Sequence, residues 1–176
     1  MTSRLALTTA TPLLLGLMLL AALSRLLPHP PNVTPVIALA LFAGAAFGHR
    51  GLAIALTLGA MLIADTLLGW HSSMLAVYAA LALVAILGGR LTLTSSWQRI
   101  GGHGLAGAVL FFVLSNLAVW LGSGLYPPTV AGLVECYVMA IPFFGNTLLG
   151  TALYGAALFA LGRRIAEPRA LGAVSA

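Results

Sequence analysis

The chain has 176 residues, of which 61% are hydrophobic and 6% are charged, whereas about 25% of a typical soluble domain is charged. Its eleven charged side chains are eight Arg, two Glu and one Asp, and the mean hydropathy is +1.08. This balance excludes a water-soluble enzyme and a disordered chain, and the single Cys excludes a disulfide scaffold. The composition predicts an all-α integral membrane protein whose outer surface faces lipid.

Six apolar segments approach the length of about 20 residues that a hydrocarbon core of about 30 Å requires. In chain order they are residues 10–27, 34–48, 51–69, 73–89, 104–122 and 144–162. We expect the first to be a retained helix, because its apolar run is long and the residues after it make a poor signal-peptide cleavage site. Residues 1–176 are therefore predicted to form one membrane domain, a six-helix bundle.

The arginines orient these helices. With six spans and both termini in the cytoplasm, seven of the eight Arg fall on the cytoplasmic side and Arg25 falls outside. Cytoplasmic loops carry an excess of Lys and Arg, so this distribution favours an even number of spans. The sequence thus predicts a multi-pass protein of the bacterial inner (cytoplasmic) membrane, surrounded by its lipid bilayer.

The longest outer connection lies between the last two spans. Its Tyr126-Pro127-Pro128 turn is followed by Thr129, a candidate N-cap, and by apolar residues at helical spacing up to Ile141. A helix over 129–141 is too short to span, and Pro142 is expected to end it. We predict a short amphipathic helix on the outer leaflet.

Polar side chains concentrate at the predicted outer end. Ionisable groups near lipid depth are costly and usually face the bundle interior or a water-filled cavity, so the outer end is the predicted functional end. The candidate substrate-binding residues are His29, Asn32, Asp65, Trp70, His71, Tyr126, Glu135, Cys136 and Asn146.

Asp65 has two interpretations. It contacts a polar ligand or orients His71 in a pocket, or it pairs with Arg25 or caps a neighbouring helix in a structural role. The His, Cys and Glu side chains have the chemistry of metal ligands, but no pair lies at ligand spacing on one helix, so metal binding is left open.

Small residues recur at helical spacing in two spans, at Ala40, Gly44 and Gly48 and at Ala152, Ala156 and Ala160. Such faces let helix backbones approach closely. They indicate either packing within the bundle or a surface for docking another membrane subunit, and the candidate docking residues are Ala40, Gly44 and Gly48.

Nucleotide chemistry and catalysis are not expected. The sequence has no Walker A pattern, no GxGxxG after a strand and no HExxH. The arginines form no basic stripe with aromatic residues, which argues against a nucleic-acid partner. Only three acidic residues are available and no Ser–His–acid set can be placed, so we expect no enzyme and no intrinsic cofactor.

Five stretches carry a resemblance to a family of small uncharacterised bacterial membrane proteins: LPHPPNVTPV (27–36), ALALFAGA (38–45), ADTLLG (64–69), YPPTVAGL (126–133) and PFFGNTLLG (142–150). The overall pattern also resembles the substrate-binding S components of energy-coupling factor transporters. That resemblance implies an outer substrate pocket closed by the loop after helix one and the loop between helices five and six. It further implies a transmembrane coupling subunit and ATPase subunits as partners, and a vitamin, a cobalamin-like cofactor or a divalent metal as substrate.

Two functions follow as hypotheses. The first is a substrate-binding subunit for uptake of a vitamin-like small molecule or metal-centred cofactor, which predicts a closed outer cavity lined by Asp65, His71 and Tyr126. The second is a non-catalytic accessory or scaffold subunit of a larger membrane complex. It predicts that the same side chains contact a partner or each other, with no cavity between them.

Overall fold

The computed structural model describes residues 3–70 and 73–166, with side chains from Thr11 onward. This part of the chain is all-helical and has no strand. Its elements are α1 (Ser3–Leu23), a 3-10 turn (Ser24–Leu26), α2 (Val36–Phe47), α3 (Arg50–Leu68), α4 (Met74–Gly88), α5 (Trp97–Gly122) and α6 (Val130–Ala166).

Three of these helices, α3, α5 and α6, are long and apolar enough to cross a membrane. The shorter apolar helices are Thr11–Leu26, Val36–Phe47 and Met74–Gly88. At 1.5 Å per residue the twelve residues of α2 extend about 18 Å and the fifteen of α4 about 22 Å. Six helices are present as predicted, but length and composition alone qualify three of them as spans, not six.

Helix α2 lies at the centre of the fold and contacts every other helix. Nearly all of it is buried, including Phe42, whose ring packs edge-on against Phe159 of α6 at 5.6 Å. A helix that is hydrophobic all round belongs in such a position. The apolar composition of α2 therefore explains its central position, because this helix has no polar face to present outward.

Of the two interpretations of the small residues on α2, this arrangement matches packing within the bundle. Ala40 and Gly44 are buried within the chain, and a Cβ on Gly44 would overlap the backbone of Ala85 and Gly88 in α4. A Cβ on Gly88 would likewise lie 2.7 Å from Leu41 Cα. These small residues let α2 and α4 approach closely. Gly48 is exposed and, with a φ of 63°, ends α2 in the left-handed conformation that glycine tolerates best.

Several boundaries differ from the prediction, and α1 begins at Ser3 rather than at residue 10. Helix α5 begins at Trp97, seven residues before the predicted span, because Ser96 caps it by accepting a hydrogen bond from the Arg99 backbone N–H at 3.3 Å. Most of the predicted link at 90–103 is a short turn followed by this first part of α5.

The predicted short outer helix at 129–141 is wrong. It is the beginning of α6, which runs without interruption through Pro142 to Ala166. The capping by Thr129 is confirmed, since its Oγ1 accepts from the Gly132 N–H at 3.1 Å. Proline removes one helical hydrogen bond, and packing of both halves against α5 maintains the helix, with the Tyr137 hydroxyl bonded to the Val113 carbonyl at 2.7 Å.

Candidate functional site

The segment at 27–35 (the α2 lead-in) is non-helical and carries four prolines. Proline fixes φ and has no backbone N–H, so this stretch cannot continue a helix. Asn32 adopts a left-handed φ of 64°, which turns the chain towards α6. The sequence therefore interrupts the apolar pattern with a stretch of irregular backbone directly before the central helix.

The α2 lead-in packs against the middle of α6. The Asn146 side chain donates to the Pro31 carbonyl at 2.9 Å, and a Cβ on Gly150 would lie 2.7 Å from the Thr34 backbone N. Gly150 precedes Arg163 by thirteen residues, which is about 20 Å along the helix axis. Within the hydrocarbon region of a membrane, irregular backbone is tolerated only where protein covers it or where it lines a cavity.

A cavity of about 220 Å³ lies where the α2 lead-in meets α4, α5 and α6. Its polar lining comes from Asn32 on the lead-in, Ser115 and Asn116 on α5 and Thr147 on α6. Its apolar lining is Val77, Phe111, Phe112, Ala140, Phe143 and Phe144. The lining contains no charged residue, so the site offers neutral hydrogen-bonding groups between aromatic rings.

The hydrogen bonds of these polar residues determine what they can offer a ligand. Asn116 Nδ2 donates to the Phe112 carbonyl at 2.8 Å, and Ser115 Oγ donates to the same carbonyl at 3.5 Å. Thr147 Oγ1 donates to the Phe143 carbonyl at 3.0 Å. These bonds use the hydroxyl hydrogens of Ser115 and Thr147, which leaves their oxygens as acceptors, whereas Asn116 keeps a second N–H and the Asn32 amide carries both donors and an acceptor.

Asp65 belongs to a separate buried cluster. It is 1% exposed, and its Oδ1 lies 2.8 Å from Nη1 of Arg25 in a salt bridge. Its Oδ2 accepts a hydrogen bond from the Tyr78 hydroxyl at 2.8 Å. Both carboxylate oxygens therefore bond within the protein, and the cluster ties the turn after α1 to α3 and α4. Of the two interpretations of Asp65, the geometry matches the structural pair with Arg25.

The other predicted site residues are dispersed. Asn146 anchors the α2 lead-in, and Cys136 is buried behind the cavity, with its Sγ 3.5 Å from the Asn116 carbonyl. Of the described candidates, Asn32 alone is in the cavity lining. His29, Trp70 and Glu135 are exposed, and Tyr126 is half-buried in the α5–α6 turn. His71 lies outside the described residues.

The cavity thus differs from the predicted one. Of its predicted lining residues Asp65, His71 and Tyr126, the first is bonded to Arg25 and Tyr78, and the last is not in the lining. Sequence reasoning missed Ser115 and Thr147. The signal was present, since each is a polar residue within a predicted apolar span, but whether the two positions face one cavity depends on how α5 and α6 pair. Within the described ranges no three His, Cys, Asp or Glu residues are grouped closely enough to hold a metal ion.

Residues 6–170 match the family model described as a family of unknown function, DUF6580. The chain belongs to this family. No curated protein and no solved structure is detectably similar to it. The match covers almost the whole chain, so the helices, the α2 lead-in and the cavity all lie within the family's common region.

Proposed function

We propose that this DUF6580 member is a multi-pass protein of the inner membrane that binds a small uncharged molecule at the cavity beside the α2 lead-in, for uptake. The observation that supports this proposal is the irregular backbone of the α2 lead-in, which packs against the middle of α6 beside a neutral polar cavity. Many membrane transporters form their substrate sites from discontinuous helices, and irregular backbone at membrane depth is tolerated only where protein covers it or where it lines a cavity.

A six-span arrangement is part of the proposal. Helix α2 alone is shorter than the hydrocarbon core, but α2 and its lead-in together traverse the bundle from Phe47 to the level of Asn146. Large apolar side chains cover the outside of the described helices, such as Leu75 and Val130, as lipid-facing surfaces require. Placing both termini in the cytoplasm puts seven of eight Arg on that side, in agreement with the positive-inside tendency.

The substrate class follows from the lining. Neutral donors and acceptors between phenylalanine rings favour a flat or partly apolar molecule that carries hydrogen-bonding groups of its own, and a neutral lining does not offset the desolvation of a charged ligand. The volume of about 220 Å³ is below the 300–1,000 Å³ of typical ligand pockets. A vitamin-like molecule with a small ring therefore fits this proposal better than a cobalamin-like cofactor or a bare divalent metal.

Energy for uptake would come from partners. The sequence carries no nucleotide-binding pattern, so the proposal includes a transmembrane coupling subunit and ATPase subunits, as in the energy-coupling factor transporters that the chain resembles. The accessory or scaffold role is the competing proposal, and ligand binding separates the two.

The test is ligand identification on purified full-length protein by mass spectrometry, followed by thermal shifts with a panel of vitamins that includes cobalamin, and with divalent metals. Thr147→Val removes a cavity hydroxyl while keeping the shape of the side chain. The matched control is Thr57→Val, because Thr57 is also buried and its hydroxyl also donates to a carbonyl of its own helix, that of Ala53. We expect Thr147→Val to weaken binding of the identified ligand about 5- to 10-fold, as loss of one hydrogen bond implies.

Thr57→Val should bind the ligand like the wild type. If no ligand co-purifies and no compound of the panel raises the melting temperature, the uptake proposal is rejected and the accessory role is retained. If both variants weaken ligand binding equally, the ligand does not bind in this cavity.

A further inference from the structure

A second and larger cavity lies further along α6, from Leu148 towards the C-terminal end of that helix. It is an apolar groove of about 360 Å³ between α2, α5 and α6. Small residues of α5 and α6 form its walls, among them Gly101, Gly104, Ala152 and Ala156, and Phe159 contributes a ring. These glycine and alanine positions leave the space of the groove between larger side chains such as Trp97, Leu105 and Leu148.

The groove has the length of one lipid leaflet. On α6 it extends from Leu148 to Phe159, eleven residues or about 16 Å. The hydrocarbon core is about 30 Å thick, so the groove covers about half of it. A docked transmembrane helix would need a contact face along most of the core, whereas one acyl chain needs a single leaflet.

Aromatic and basic residues lie at the end of the groove. The Arg163 guanidinium lies over the Trp97 ring at 4.3 Å from its centroid. Its Nε donates to the Leu93 carbonyl at 2.6 Å and its Nη2 to the Ser95 carbonyl. Arg163 continues the α6 wall, four residues after Phe159, and Arg164 beside it is exposed.

These arginines have no acidic partner among the described residues. The one salt bridge there joins Arg25 to Asp65, and the other described acid, Glu135, lies near the opposite end of α6. Positive charge at the end of an apolar groove complements an anionic headgroup attached to an acyl chain. Basic pockets between helices on the cytoplasmic side bind such headgroups, and each nearby Arg or Lys favours an anionic lipid surface.

We propose that this groove binds one anionic phospholipid of the arginine-side leaflet, with an acyl chain along Gly104 and Ala156 and the phosphate between Arg163 and Arg164. Trp97 lies at the boundary between chain and headgroup, where an indole is favoured. The inference rests on the membrane location proposed above and not on the substrate cavity.

The experiment measures phospholipid retained by the purified full-length protein, by native mass spectrometry in mild detergent with added phosphatidylglycerol or phosphatidylcholine. Ala156→Leu fills the groove. Its matched control is Ala157→Leu, at an exposed position that is not in the groove lining. A third variant, Arg164→Gln, removes one charge without touching the carbonyl contacts of Arg163.

We expect the wild type and Ala157→Leu to retain phosphatidylglycerol in preference to phosphatidylcholine. Ala156→Leu should retain at least tenfold less phosphatidylglycerol than the wild type. Arg164→Gln should lower the preference about fivefold, the value for one Arg near an anionic surface. Equal retention of the two lipids by the wild type overturns the proposal. Unchanged phosphatidylglycerol retention by Ala156→Leu also overturns the proposal. If that variant in addition dissociates an oligomer, the groove binds a helix of a second chain.

Discussion

Replacing Asp65 by Leu tests whether this carboxylate holds helices together or serves a ligand. The substitution leaves Arg25 without its partner at 2.8 Å and the Tyr78 hydroxyl without its acceptor. Removing one partner of a buried ion pair costs about 3–5 kcal/mol. Arg25 is 15% exposed and can turn towards the headgroups, so we expect about 3 kcal/mol, the lower end.

For chains of this length about 1 kcal/mol corresponds to about 2–4 °C in Tm, so Asp65→Leu should melt about 6–12 °C below the wild type. The assay is thermal unfolding of purified protein in detergent. Thr66→Ala, next to Asp65 but exposed, is the control and should melt within about 2 °C of the wild type.

A double-variant cycle identifies the cause. Replacing both charges, in Arg25→Met with Asp65→Leu, should recover most of the loss, because an apolar pair of similar volume often equals or exceeds a buried ion pair in stability. If Asp65→Leu unfolds at the wild-type temperature while ligand binding is lost, the structural role is refuted and Asp65 serves the ligand. If the double variant is no more stable than Asp65→Leu, the pairing with Arg25 is not what stabilises the fold.

Three further predictions concern the α2 lead-in, the orientation and the buried thiol. Gly150→Ala should cost about 1–3 kcal/mol and weaken ligand binding, because its Cβ would meet the lead-in backbone; Gly145→Ala, with open space around it, should not lower the unfolding free energy. In a cysteine-free variant, Ser96→Cys should react with impermeant maleimide in inverted vesicles and Ser123→Cys in right-side-out vesicles. If both cysteines react in the same vesicles only, the proposed orientation is rejected. Native Cys136, 2% exposed, should react with maleimide much more slowly than either introduced cysteine, and equal rates would contradict its burial.

Much of the helical fold is encoded in local sequence patterns. Apolar runs locate all six helices, and glycine and proline bound most of them, because a missing Cβ or a missing N–H acts on its own turn. The prediction for the start of α5 missed a local signal, the Ser96 cap, whereas the error at α6 has a tertiary cause. Pro142 costs one backbone hydrogen bond, a local penalty that the contacts of Tyr137 and its neighbours with α5 override, and such contacts are not visible in the local pattern.

The site was less predictable than the fold. The sequence correctly drew attention to Asn32 and Asn146, which the structure brings to the α2 lead-in and its cavity. It offered two roles for Asp65, and only the position of Arg25 across the bundle distinguishes them. Ser115 and Thr147 became site residues solely because α5 and α6 pair in a register that faces them to one cavity.

By itself, the sequence determined that this protein is helical and lipid-compatible, because eleven charges in 176 residues leave no soluble surface to build. It also located the break between the first two spans, where Pro28, Pro30 and Pro31 lie together. The tertiary structure decided what that break does. Gly150 of α6 admits the irregular backbone, and the cavity forms because three helices and that segment meet at one level, which is a long-range relation that no local pattern encodes.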